Sequence, residues 1–247
     1  MKKMLSLICA GLLAVLLCSC GGTGELTENY AHITFADAGE LISSGETVLA
    51  AQKVALKDLN GDGTVDVDEV IREAHERFYE GGRESGYATY DGGYGTAIAK
   101  FWGDESGAYG YWRNDDTVWN LEDPVAEGDR LTVFIYKDSA GFSDSYAYFT
   151  EKEITIKAGE SERFTLMNAG YDENWMTVFA PTEGAGLRIL GDDAGQTAVT
   201  DADGTASLRF EKAGKYTVIA EYEGIFENGM YVSAPLVPAI CTVTVNK

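Results

Sequence analysis

Residues 58–69, read as D-L-N-G-D-G-T-V-D-V-D-E, carry the strongest chemical signal in the chain. Asp58, Asn60, Asp62 and Asp66 stand at positions one, three, five and nine of a twelve-residue calcium loop. Thr64 offers a backbone carbonyl at position seven, and Glu69 closes the loop with a carboxylate able to bind through both oxygens. Hard divalent cations favour such all-oxygen donor sets. Gly63 falls at position six, where the backbone turns sharply and a side chain would be strained. Val65 is the apolar residue at position eight. An acidic, glycine-containing turn ahead of a helix would need no metal, but it would leave the spacing unexplained. Calcium is the expected cofactor.

A second candidate is the aromatic group Trp102, Tyr109, Tyr111, Trp112 and Trp119. Such rings could stack on a sugar face or a flat ligand. In a strand, Tyr109 and Tyr111 share one face and Trp112 takes the other, so core packing competes with a binding platform. Catalytic constellations are not apparent. His32 and His75 are the only histidines, and Tyr79 stands where a zinc-protease helix beginning at His75-Glu76 would need its second histidine. Residues 103–107 lack the glycine two positions before serine that a nucleophile elbow requires, and the glycines around Gly92 do not make a phosphate loop. Carboxylate pairs are too abundant to single out a glycosidase pair. No catalytic residue is assigned, and the expectation is a binding protein rather than an enzyme.

The elements around the loop follow from hydrophobic spacing. Val67, Val70, Ile71, Ala74 and Phe78 mark one apolar face of a helix that Gly81-Gly82 ends, with Glu73 and Arg77 a turn apart on another face. Glu69 then lies in the first helical turn, so a bound cation would fix the angle between the preceding strand and the helix. Extended segments are expected at 32–35 and 47–56 before the loop, and at 95–102, 109–114 and 130–137 after it. A loop that follows a strand differs from the helix-loop-helix of an EF-hand. With no second complete loop in the chain, it also differs from a tandem dockerin-like module. A strand pair, one helix and further strands predict a β-grasp arrangement over 30–150, an α+β domain in a mostly β chain.

Within 70–136, Tyr94-Gly95-Thr96-Ala97-Ile98, Gly103, Tyr109-Gly110-Tyr111-Trp112-Arg113-Asn114 and Glu127-Gly128-Asp129-Arg130-Leu131 resemble the C-terminal β-grasp domain of transcobalamin and intrinsic factor and its bacterial relatives. The acidic loop and the aromatic stretch after Ser139 depart from that pattern, so the resemblance is carried to the fold and not to cobalamin. More broadly, 30–150 looks like a module of cell-surface proteins from anaerobic gut bacteria. From 151 to 247 short strands alternate with turn signals. Val199-Thr200-Asp201-Ala202-Asp203-Gly204-Thr205-Ala206 and Ala213-Gly214-Lys215-Tyr216-Thr217-Val218 there resemble bacterial immunoglobulin-like surface domains. This resemblance implies a β-sandwich but no particular ligand. Asp201 and Asp203 read as a hairpin turn, because the other ligands of a metal loop are missing.

Lys2 and Lys3 precede an apolar run over 4–17 that ends in Leu17-Cys18-Ser19-Cys20-Gly21. The segment resembles a bacterial lipoprotein signal. It implies cleavage after residue 19, acylation of Cys20, a flexible tether over 20–29 and extracytoplasmic attachment to the cell membrane. Cys9 and Cys18 would leave with the signal, so Cys241 would have no internal partner and no disulfide framework forms. The net charge of −21 becomes −23 once Lys2 and Lys3 are removed. That charge argues against nucleic acid and anionic headgroups as direct partners. The expected function is a lipid-anchored, calcium-stabilised surface binding or adhesion protein whose partner is a surface protein, glycan or small ligand. A non-catalytic spacer or accessory subunit of an envelope complex is the alternative, followed by an enzyme acting on envelope or host polymers.

Overall fold

A computed structural model describes residues 29–93, 95–174, 176–191 and 195–247. The signal, Cys20 and nearly all of the tether lie outside the described residues, as does Tyr94. The chain is mostly β, with strands throughout and two helices among the described residues. None of these helices is long and apolar enough to cross a membrane.

In the first half, the strands Tyr30–Asp37 and Arg130–Ile135 run parallel at the centre of a sheet, with His32 opposite Arg130 and Asp37 opposite Ile135. Gln52–Ala55 flanks the first strand and Tyr109–Arg113 flanks the second, both antiparallel, and Asp116–Thr117 forms the outer edge beyond Tyr109–Arg113. The two-residue alternation sends Ala31, Ile33 and Phe35, with Leu131, Val133 and Ile135, to one face. There they pack with Val67, Val70, Ile71 and Ala74 of helix α1, Val67–Phe78, the apolar stripe expected from the spacing. Helix α1 starts at Asp66, whose side chain accepts the Glu69 N–H while the Glu69 side chain accepts the Asp66 N–H. It ends at Tyr79, and left-handed Gly81 leads into the short helix α2, Gly82–Gly86. The segment 47–56 is two strands rather than one. Ala51 adopts a positive φ of 49° and donates its N–H to Thr34 Oγ1, which separates Thr47–Val48 from Gln52–Ala55.

The second half is a sandwich. Glu160–Tyr171 is central to one sheet, pairing with Thr177–Pro181, Ser145–Phe149 and Thr205–Phe210. The other sheet runs in the order Glu153–Lys157, Ala239–Asn246, Gly214–Glu221, Gly186–Ile189, Thr197–Val199. Phe149, Phe164, Leu166, Leu187, Leu208, Val218 and Val243 fill the space between them. Ser145–Phe149, expected within the first domain, belongs to this sandwich because its partners are Glu160–Tyr171 and Leu236–Val237. Cys241 is fully buried in Ala239–Asn246. Burial pushes its thiol up to about 12, so it stays protonated and packs as a small apolar group.

The back of the first sheet is also covered. Ala36, Trp112 and Phe134 pack against Tyr146, Ala169 and Val237 of the sandwich, and Ala50 meets Ile219 and Ile240 in a second apolar contact. Gly110 is required there, since a Cβ at that position would stand 2.2 Å from Phe134 Cζ. Gly110→Ala is expected to cost about 1–3 kcal/mol through overpacking, with Phe134→Leu in the same chain recovering part of the loss in a thermal melt.

Candidate functional site

The calcium-type loop sits between Gln52–Ala55 and α1, and Glu69 joins its two ends. Glu69 is 2 % exposed. Its Oε1 accepts the N–H groups of Leu59 at 2.6 Å and Asn60 at 2.9 Å, and its Oε2 accepts the Asp66 N–H at 3.3 Å. Asp58 accepts from Gly61 and Gly63 through its two oxygens, Asn60 Oδ1 accepts from Asp62, and Asp62 Oδ1 accepts from Thr64. Gly61 and Gly63 turn the chain with φ of 79° and 92°. The second of these is the sharp turn foreseen at position six. The loop exit is braced from outside: the Val125 N–H donates to the Val65 carbonyl, and the Val67 and Asp68 N–H groups donate to the carbonyls of Asp123 and Leu121. Asp68 points elsewhere, taking the Tyr87 hydroxyl at 2.9 Å and the Arg72 guanidinium at 2.8 Å.

Among the described residues, none of Asp58, Asp62, Asp66 and Glu69 forms an ion pair with lysine or arginine. Burial pushes Asp66 up to about 6, against the Glu69 N–H bond that lowers it, and the carboxylates of Glu69, Asp68 and Asp62 add to the rise. The donor set suits a hard cation in kind and in order along the loop. No three His, Cys, Asp or Glu side chains among the described residues are already gathered into a coordination shell. The loop oxygens face backbone N–H groups, and because a carboxylate offers about four lone-pair sites, each keeps capacity for a further partner. Beside the loop, Leu59, Arg72, Glu76, Tyr79 and Arg83 line a polar groove of about 740 Å³.

The aromatic residues do not share one platform. Tyr109 and Tyr111 lie on the helix side of the sheet against the first core, and the Tyr109 hydroxyl donates to the Asp104 carbonyl at 2.7 Å. Trp102 joins that core from its edge, 5.0 Å from the Tyr79 ring and 5.2 Å from His75. Trp112 faces the opposite way, stacked on Tyr146 at 4.4 Å and 6°. Trp119 is 79 % exposed and stands apart. His75 is fully buried. Its Nδ1–H donates to the Ile71 carbonyl at 2.8 Å and its Nε2 accepts the Trp102 N–H at 3.2 Å, so both ring nitrogens are committed. Burial pushes it down to about 4.

A polar cluster between the two halves escaped sequence reasoning. Asp115 accepts from the Tyr146 hydroxyl and from Lys152 Nζ, each at 2.8 Å, and Arg130 pairs with Glu153 at 2.6 Å. Next to it, His32, Arg130, Tyr146 and Lys152 line a cavity of about 30 Å³, room for about one water. His32 Nδ1 is buried there without a protein partner, and burial reinforced by Arg130 holds the ring down to about 4. The only sequence signal was the opposite-face position of Trp112 in its strand. Compared with known proteins, the chain matches no family model and no curated protein sequence.

Proposed function

We propose that the protein is a lipid-anchored, calcium-stabilised surface binding or adhesion protein in which calcium acts as an architectural clamp. The observation that carries this reading is Glu69, a buried carboxylate that ties the loop entry to the first turn of α1. Asp58, Asn60, Asp62, Asp66 and Glu69 would hold the ion through side chains and Thr64 through its carbonyl. The ion would neutralise carboxylates that have no lysine or arginine partner among the described residues. The strand order of the first half, with a parallel central pair beneath one helix, supports the β-grasp reading. The two packed sheets of the second half support the immunoglobulin-like reading. The extensive contact between the halves favours a second reading, a rigid spacer that displays another component.

For a loop with a dissociation constant of about 0.1 mM, roughly 1 mM calcium stabilises the folded chain by about 1.4 kcal/mol. Chelation is expected to lower the melting temperature, and Glu69→Gln to remove the difference between calcium and chelator. Silent calorimetric titration together with an unchanged melt would eliminate the clamp. Mass spectrometry of the membrane fraction tests the anchor: acylated Cys20 is expected, and a Cys20→Ala chain is expected to leave the membrane.

A further inference from the structure

Two hairpins of the sandwich leave it at one end and expose large apolar side chains along their arms. Glu160–Tyr171 turns back into Thr177–Pro181 with Tyr171 opposite Thr177. Ile225–Glu227 and Met230–Ser233 form the other hairpin, just before Leu236 pairs with Ser145. Ser145 Oγ donates to the Ala169 carbonyl and Ser145 pairs with Leu236, so both hairpins leave at the same end of the sheet. The turn over 138–144 lies between them. Phe142 packs on Tyr136 with ring centroids 5.3 Å apart, Tyr171 acts electrostatically on Tyr136, and Lys137 pairs with Glu223. Phe142, Met176, Val178, Phe226, Met230 and Val232 are all exposed, Met176 and Met230 by more than 60 %. A folded chain rarely leaves so many large apolar side chains in water at one end unless something covers them.

Charge narrows the class of partner that could cover them. The segments 138–144, 171–178 and 222–233 contain six carboxylates and no lysine, arginine or histidine, and all but the buried Asp144 reach the surface. Lys137, at their border, is already paired with Glu223. An anionic bilayer would be repelled by this rim. A second copy docked about a two-fold axis would set the same carboxylates against each other. Among the described residues Thr177–Pro181 is moreover the last strand of its sheet, with one hydrogen-bonding edge unpaired and Pro181 lacking an N–H. An extended chain can pair along such an edge while alternate side chains reach the exposed apolar residues and the carboxylates.

We propose that this end of the sandwich docks an extended, cationic, apolar-rich polypeptide segment. This gives the binding reading above a partner class, and because it involves none of the loop residues it stands or falls without calcium.

The test uses the full chain carrying Cys20→Ala and a short synthetic peptide alternating lysine with phenylalanine. Binding is expected in calcium and in chelator alike, weakening as salt rises. Glu173→Lys with Glu227→Lys is expected to weaken it at least about ten-fold, as is Phe226→Ser with Met230→Ser. Glu46→Lys with Glu80→Lys, on the exposed surface of the first half, is expected to leave it unchanged, whereas replacing the peptide's lysines by glutamate is expected to abolish it. No binding overturns the proposal, as does equal weakening by charge reversal in the first half. Association instead with phosphatidylglycerol vesicles, or patch-dependent dimerisation in sedimentation, overturns it in favour of a membrane or a second copy. Because Glu173 and Glu227 are both exposed, that variant keeps the test decisive even if Phe226→Ser with Met230→Ser fails to fold.

Discussion

Trp112→Ala is expected to lower stability by about 3–5 kcal/mol, the usual cost of truncating a buried tryptophan, and to separate the unfolding of the two halves. The ring is 7 % exposed and lies flat against Tyr146. It forms one apolar patch with Ala36, Phe134, Ala169 and Val237, drawn from both halves. Removing it exposes that patch and loosens the Tyr146 hydroxyl that donates to Asp115, so the loss falls on the contact between the halves as well as on the first sheet. Calorimetry of the wild type should give one transition, and that of Trp112→Ala two, the earlier one belonging to the first half. Trp119→Ala is the control: its side chain is exposed, and its effect should stay within about 0.5 kcal/mol. A Trp112→Ala chain that loses under about 1 kcal/mol and still unfolds in one step would show that the stack does not couple the halves.

The same tryptophan shows where the sequence was legible and where it was not. Alternation along Tyr109–Arg113 placed Trp112 opposite Tyr109 and Tyr111, and the structure has it so. The step from there to a choice between one core face and one binding face fails, because a local period reports which side chains share a face and never what covers it. Here α1 covers one face and a separate sandwich covers the other. Helix α1 was readable to its ends, since Asp66, Glu69 and the glycines after Tyr79 are local signals. Ser145–Phe149 was misplaced for the converse reason: its partners lie at 166–168 and 236–237, and no feature of residues 145–149 names them. The loop is an intermediate case. Its turn and its acceptors follow from residue spacing, while the bracing by Leu121, Asp123 and Val125 comes from a segment more than fifty residues downstream of its start and left no mark on the motif.

Acidification is expected to weaken the first half through His75. The ring is enclosed by Phe35, Tyr79, Tyr87, Phe101 and Trp102, none of which carries a charge that could favour imidazolium. Burial therefore holds it at about 4 against an ordinary value of 6.5. Between those values the unfolded chain takes up a proton that the folded chain refuses. The contribution of His75 is thus complete above pH 6.5 and is lost progressively as the pH falls towards 4, by about 3 kcal/mol in all. His32, held low by burial and Arg130, acts in the same direction. Asp66, Asp68 and Asp144 act in the other, since burial raises each of them and protonation relieves the folded state as the pH falls. The slope of the whole protein mixes these effects, so the decisive quantity is the difference between wild type and His75→Gln, whose amide can still donate to the Ile71 carbonyl and accept from the Trp102 N–H. That difference, from urea melts at pH 7 and pH 4.5, should shift by about 2 kcal/mol in favour of the variant on acidification. A constant difference, with a proton NMR titration placing His75 near 6.5, would mean that the ring exchanges protons with water and is not sealed by the five surrounding rings.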